Sequence, residues 1–329
     1  MNEEKIFDMI SLADDEYVLD ASHKKRTIRL GKHAVSMLAA ALICTVLLAC
    51  VAAAVVVTNI VHKGSLNDFY ESSTVSEMES RGYTVGKSVE NGHARLTLDS
   101  VMSDNYRCHP VFTLEALDDV TDADMKRLFG EQFDLSFELS LRYADNDEKI
   151  YDSLSTSGFS FYGDKNDRSV TLRTEIFYSL DIYEDGKPKT VKIDRTRPLK
   201  LCFTQLSADD PQQLHLLDGL EIELPRTEPV KSIKLISDSG NIANISEFGI
   251  SVDDPFAFDS NIKKPFRDQS DCIRWKDGTE TKLYEIGRTG AGSELINGKY
   301  MTFIDLRAFI DIEKIDCAII LGEKYRRIS

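Results

Sequence analysis

Catalysis by side chains needs a nucleophile with a base to activate it, a pair of carboxylates, or a metal on suitably spaced ligands. This chain offers few of these. Three histidines, His93, His109 and His215, are far apart in polar or strand-like stretches, and His23, His33 and His62 flank an apolar run. There is no GxSxG, no HExxH, no phosphate-binding P-loop and no glycine-rich dinucleotide turn. Of the six cysteines, Cys44 and Cys50 lie in the apolar run, while Cys108, Cys202, Cys272 and Cys317 are dispersed with no CxxC pair. That spacing suits no zinc site. The apolar context of these four cysteines favours small buried thiols, and an oxidising compartment would also permit disulfides. Asp118, Asp119, Asp122 and Asp124 cluster, but without the spacing and glycine of a calcium loop. The residue types point to no cofactor, no metal and no enzyme.

The elements that position everything else start from Ala34–Val61, a run of 28 residues without a charge. A hydrocarbon core takes about 20 apolar residues as a helix. In lipid every backbone amide must be satisfied within the segment, which leaves a helix as the spanning form. Lys24, Lys25, Arg26, Arg29 and Lys32 crowd its N-terminal flank, whereas Lys63 is soon followed by Asp68, Glu71, Glu77 and Glu79. The positive-inside rule then places residues 1–33 in the cytoplasm and residues 62–329 outside, at a cell membrane crossed once. The same five basic residues are candidates for contact with anionic lipid headgroups. A cleaved signal peptide would have a shorter apolar region and no long tail before it. Leu47-Leu48-Ala49-Cys50 loosely resembles a lipobox, but apolar and neutral residues continue past Cys50.

Charge separates the two sides. Of 40 Lys and Arg, six precede residue 62, leaving 34; of 55 Asp and Glu, seven do, leaving 48. The formal charge of −15 excludes direct nucleic-acid binding, which needs a basic face. In the tail, Ile6, Phe7 and Ile10 share a helical face, Asp14 and Asp15 suit the start of a second helix, and Tyr17 and Val18 add a small apolar patch. These seven residues are the candidate partner-binding surface. The tail is too short to bury a core alone.

Residues 62–82 read as a stalk, with at most one or two helical turns at Leu66, Phe69 and Tyr70. From Tyr83 the hydrophobic period becomes two. In Phe133–Tyr143 every odd position is apolar and every even one polar, which predicts a strand with one buried and one wet face. Val170 to Leu180 repeats the pattern, as do shorter runs at Leu96, Phe112, Leu199 and Leu220. Residues 121–130 read as a capped helix. Pro225 and Pro229 bracket a break that a central strand could not contain. Strand-like runs resume at Val230–Ile236, Ile242–Val252, Thr281–Ile286, Tyr300–Leu306 and Ile315–Leu321, the last read as the final strand, and Trp275–Thr279 reads as a hairpin tip. The fold class expected is mainly β: one transmembrane helix, then two tandem β-sandwich domains at 83–225 and 226–329, with a single large sandwich as the alternative.

Three stretches carry a family resemblance: Ile10–Ala21 in the tail; Ala94–Ala116; and, towards the C-terminus, Ile245–Pro255, Trp275–Thr279 and Phe309–Gly322. Together they resemble a group of Gram-positive single-pass membrane proteins described as anti-sigma-factor-like, or as negative effectors of extracytoplasmic-function sigma factors. The resemblance implies outer immunoglobulin-like domains that sense or bind an extracytoplasmic ligand, and a tail that holds or releases a cytoplasmic sigma factor. No cysteine precedes Cys44, so the zinc element of zinc-containing anti-sigma proteins has no counterpart here. The alternative is an envelope adhesion or scaffold protein whose tail only sets topology.

Overall fold

A computed structural model describes residues 66–121, 137–151, 160–162, 168–184, 187–205, 217–254 and 270–328. The tail, the apolar run and the helix expected at 121–130 lie outside the described residues, apart from Thr121. Among the described residues no helix is long and apolar enough to cross a membrane. The body from Thr58 onward is one compact unit and is mainly β.

Two sheets face each other in its first half. One runs in the order Thr84–Glu90, Ala94–Ser103, Arg107–Ala116, Ser169–Arg173, Ser160–Tyr162, with Ile176–Phe177 paired to the start of the third strand. The other runs Glu221–Leu224, Leu199–Gln205, Phe137–Tyr143, Lys149–Tyr151. Leu96, Leu98, Phe112, Leu114 and Leu172 from the first meet Leu139, Leu141, Leu201, Phe203 and Ile222 from the second in one core. Phe112 and Phe203 meet edge to face at 5.7 Å. Alternation works as read in Phe137–Tyr143, where Leu139, Leu141 and Tyr143 are buried and Ser140 and Arg142 are not.

The chain then passes through the proline-bracketed segment and enters a nine-stranded antiparallel sheet. Ile273 and Ile304 come from strands each one in from opposite ends of its strand order, yet share a core with Ile245, Ile315 and Tyr325. The sheet therefore curls around its own apolar face.

Several readings are corrected. The helical turn expected at Leu66, Phe69 and Tyr70 is present at residues 66–69, but the rest of the stretch expected as a stalk is packed: Ser72–Ser80 forms a second helix, and Leu66, Phe69, Tyr70, Val75 and Met78 are buried. They meet Met102 and Val111 of the first sheet and Val230 and Phe248 of the second half. The helix stops in a Schellman motif: Tyr83 N–H donates to the Met78 carbonyl at 2.9 Å, and Gly82 takes φ 75, a left-handed value that favours glycine. The run from Val170 to Leu180 is not one strand; it breaks between Arg173 and Ile176. Ile242–Val252 is a hairpin, Ile242–Ser246 with Gly249–Asp253, and Thr281–Ile286 ends in a helical turn at Leu283–Ile286. Ile315–Ile320 is followed by one more strand, Glu323–Arg327, whose only buried residue is Tyr325. The sequence EKYRR is too polar to signal it, because one of its faces is wet.

Candidate functional site

The polar face of the first sheet is not wet. Strand Arg107–Ala116 alternates Cys108, Phe112 and Leu114 towards the sandwich core with Arg107, His109, Val111 and Thr113 on the opposite side, and both faces are buried. The N-terminal helices and the nine-stranded sheet cover that opposite face, and there a charged cage assembles.

Asp104 fixes the start of the strand: its Oδ1 accepts from Tyr106 N–H at 2.7 Å and Arg107 N–H at 2.9 Å. The Arg107 guanidinium, 1% exposed, donates to Asp305 Oδ1 at 2.5 Å and to Glu175 Oε2. Arg173 donates to Asp305 Oδ2 at 2.8 Å and hydrogen-bonds the Tyr70 hydroxyl. One carboxylate thus bridges two guanidiniums, one oxygen to each. Aromatic rings wall the cage: the Arg107 guanidinium carbon lies 4.5 Å from the Phe303 ring centre, and that of Arg173 lies 5.4 Å from Phe69. Glu175 reaches in from the break between Ser169–Arg173 and Ile176–Phe177.

Burial works against the Asp305 carboxylate, but Arg107 and Arg173 outweigh it and hold its pKa well below the usual range. Glu175 goes the other way: burial, only partly offset by Arg107, pushes it up to about 7. Burial also raises Asp104. Two guanidiniums face three carboxylates, so one carboxylate is surplus, and the cage favours a proton on it. His109 is fully buried with neither ring nitrogen hydrogen-bonded, edge-on to Phe248 at 5.0 Å. Burial and then Arg107 hold its pKa well below the ordinary value, so it stays neutral.

Ligand atoms of His109, Glu175 and Asp305 lie within 4.8 Å of one another, a spacing that could hold a metal ion. The donor set does not suit one. Both Asp305 oxygens and Glu175 Oε2 already accept from arginine. A divalent cation would have to displace guanidiniums that cannot give up their charge. Nor does the cage make a catalytic centre: His109 activates no hydroxyl or thiol, and the Tyr70 hydroxyl is pushed up to about 12 by burial. The cage is a latch between the first sheet and the nine-stranded sheet.

A separate groove of about 660 Å³ opens where the proline-bracketed segment passes the edge of the sandwich. Arg195, Thr196, Arg197, Arg226 and Glu228 line it above a floor that includes Tyr178 and Leu224. Arg197 is held by Asp145 at 2.6 Å and Glu148 at 2.9 Å, with its guanidinium 3.6 Å from the Tyr143 ring centre. Arg195 lies 4.0 Å over the Tyr178 ring. Cys108 closes the floor, and burial pushes its thiol up to about 12, which keeps it from acting as a nucleophile.

The seven tail residues Ile6, Phe7, Ile10, Asp14, Asp15, Tyr17 and Val18, and the basic collar Lys24, Lys25, Arg26, Arg29 and Lys32, lie outside the described residues. His93 is half-exposed and pairs with Asp119 at 2.5 Å. Cys108, Cys202, Cys272 and Cys317 are free, buried thiols. The sequence singled out His109, Cys108 and the two prolines, but not the arginines and carboxylates of the cage and groove. Their signal is faint but present: charged residues inside apolar strands, as in Arg107-Cys108-His109, and arginines gathered beside prolines in an acidic chain, as in Arg195-Thr196-Arg197-Pro198 and Pro225-Arg226.

No family profile matches the chain, and no curated protein matches it. One solved structure, described as the crystal structure of the conserved domain protein from Bacillus anthracis, aligns with 71% of this chain and 75% of its own. The identity is 11% and the TM-score 0.33.

Proposed function

We propose that the chain is a membrane-anchored regulatory protein of the anti-sigma-factor-like kind. Residues 1–33 lie in the cytoplasm, Ala34–Val61 crosses the membrane once, and the β body is an extracytoplasmic sensing or binding module of two immunoglobulin-like sandwiches. The observation that carries this reading is the 28-residue uncharged run between a basic collar and an acidic β body. Ile6, Phe7, Ile10, Asp14, Asp15, Tyr17 and Val18 form the tail surface for a cytoplasmic sigma factor. Lys24, Lys25, Arg26, Arg29 and Lys32 contact the lipid headgroups. A binding role for the body is supported by its open, arginine-lined groove.

Protease added to intact protoplasts should remove the C-terminal bulk and spare the amino end. In the same cells, photo-crosslinking from Phe7 or Tyr17 should capture a sigma factor, identified by mass spectrometry. An uncut chain in the soluble fraction overturns the topology. Cross-links to lipid alone overturn the regulatory step and leave an envelope scaffold.

A further inference from the structure

We infer that the groove beside the proline-bracketed segment binds a phosphate monoester carried on a small hydroxylated body. The inference rests on reading this body as a binding module, but not on its place in the membrane.

The chain carries −15, yet three arginines converge on this one groove. Arg197 is neutralised by Asp145 and Glu148. Among the described residues, Arg195 and Arg226 form no ion pair. Both are nevertheless held in place. The Arg195 guanidinium lies 4.0 Å over the Tyr178 ring, and the Tyr178 hydroxyl is itself tied to Ser103 and Cys108. Arg226 donates through Nε and Nη2 to the Arg195 carbonyl, each at 3.3 Å, which brings its head beside the Arg195 backbone. Two guanidiniums held in place without a directly paired carboxylate lose little rotamer freedom on meeting an anion.

The remaining lining narrows the ligand. A carboxylate carries one charge, whereas a phosphate monoester carries about −1.5 to −2 and three acceptor oxygens, which suits two guanidinium forks. The hydroxyls of Thr196 and Thr227 already donate, to Asp194 and to Ser103, so the anion must be held by arginine. Glu228 lines the groove and Asp194 lies within electrostatic reach of Arg226. Those carboxylates repel a polyanion but accept hydrogen bonds from hydroxyl groups. One phosphate with a hydroxyl-bearing body therefore fits, its carbon skeleton against Val101, Leu199, Leu224 and Pro225.

The test is isothermal titration calorimetry on the full chain in a non-ionic detergent, with glycerol 3-phosphate as the probe and glycerol and acetate at matched ionic strength as comparators. Saturable binding of glycerol 3-phosphate is expected, with a Kd on the order of 1 mM or tighter. Neither comparator should bind measurably. Arg195→Gln and Arg226→Gln should each weaken binding at least about tenfold, the loss of one charge-assisted contact. Lys234→Gln, an exposed lysine outside the groove that lowers the charge equally, should leave it unchanged. Circular dichroism checks that each variant is folded. Absence of saturable binding up to tens of millimolar, equal binding of acetate, or an equal loss in Lys234→Gln would overturn the inference. Protease shaving of protoplasts reports separately on the membrane reading, so the two can fail independently.

Discussion

Asp305 bridges Arg107 and Arg173 with both oxygens while 2% exposed, so removing it leaves two buried cations without a counter-charge. Breaking a buried pair from one side typically costs about 3–5 kcal/mol, far more than the pair contributes net. Asp305→Ala should therefore lower stability by roughly that amount in chemical denaturation. Glu175 gives a prediction of different shape. Its folded pKa, pushed up to about 7, lies above the ordinary 4.5, so its contribution is fully present below about 4.5 and is lost as pH rises through about 7. Glu175→Gln mimics the protonated form. Its stability relative to wild type should rise across that window, by on the order of 1–3 kcal/mol. His109 is held below its usual pKa, so its contribution is present above about 6.5 and lost on acidification. It is common to both proteins and cancels in the difference. Denaturant midpoints at a series of pH values check both signs, and a flat difference curve for Glu175→Gln would refute the surplus-carboxylate account.

At the level of elements, the hairpin Ile242–Ser246 with Gly249–Asp253 presses a glycine against the cage. A Cβ at Gly249 would lie 3.2 Å from the Ile304 carbonyl oxygen and 3.5 Å from Arg107 Nη2. Ile304 belongs to a strand paired on both sides, so its carbonyl has little room to yield. Gly249→Ala should destabilise by about 1–3 kcal/mol, read as a drop in thermal midpoint, although its backbone angles suit alanine. Strands with one wet face, such as Phe137–Tyr143, were legible in the sequence because alternation records burial directly. The turn at 66–69 was legible too, from Leu66, Phe69 and Tyr70, but the helix Ser72–Ser80 and the burial of both helices were not. Their apolar residues are few and lie among serines and glutamates, and only the cover they provide over Met102 and Val111 makes them core.

Across the whole molecule, the cage is where the first sheet, the N-terminal helices and the nine-stranded sheet meet. Arg81 adds a second tie, reaching Glu247 at 2.6 Å. The chain carries one tryptophan, Trp275, and it sits on the nine-stranded sheet with its indole N–H donating to Thr281 Oγ1 at 2.7 Å. Its fluorescence therefore reports the second half alone, while far-ultraviolet circular dichroism reports both. In the wild type the two should trace one coincident transition. In Asp305→Ala they should separate, because the two halves lose their buried ionic link and keep only apolar contacts such as Phe177 with Phe303. Separate transitions already in the wild type would show that the latch does not couple them.

The amino-acid sequence by itself determined the period-two strands, the break at Pro225–Pro229, the turn at Trp275–Thr279 and the predominance of β structure. Each of these is local: side-chain alternation, a missing amide proton and glycine's freedom of φ all act within a few residues. Only the tertiary structure decided that the polar face of Arg107–Ala116 is buried, that Glu175 sits in a strand break, and that Asp305, 198 residues beyond Arg107, is its partner. A charge in a sequence looks the same whether water or another charge will solvate it. Which of the two it meets depends on elements that come together only when the chain is folded.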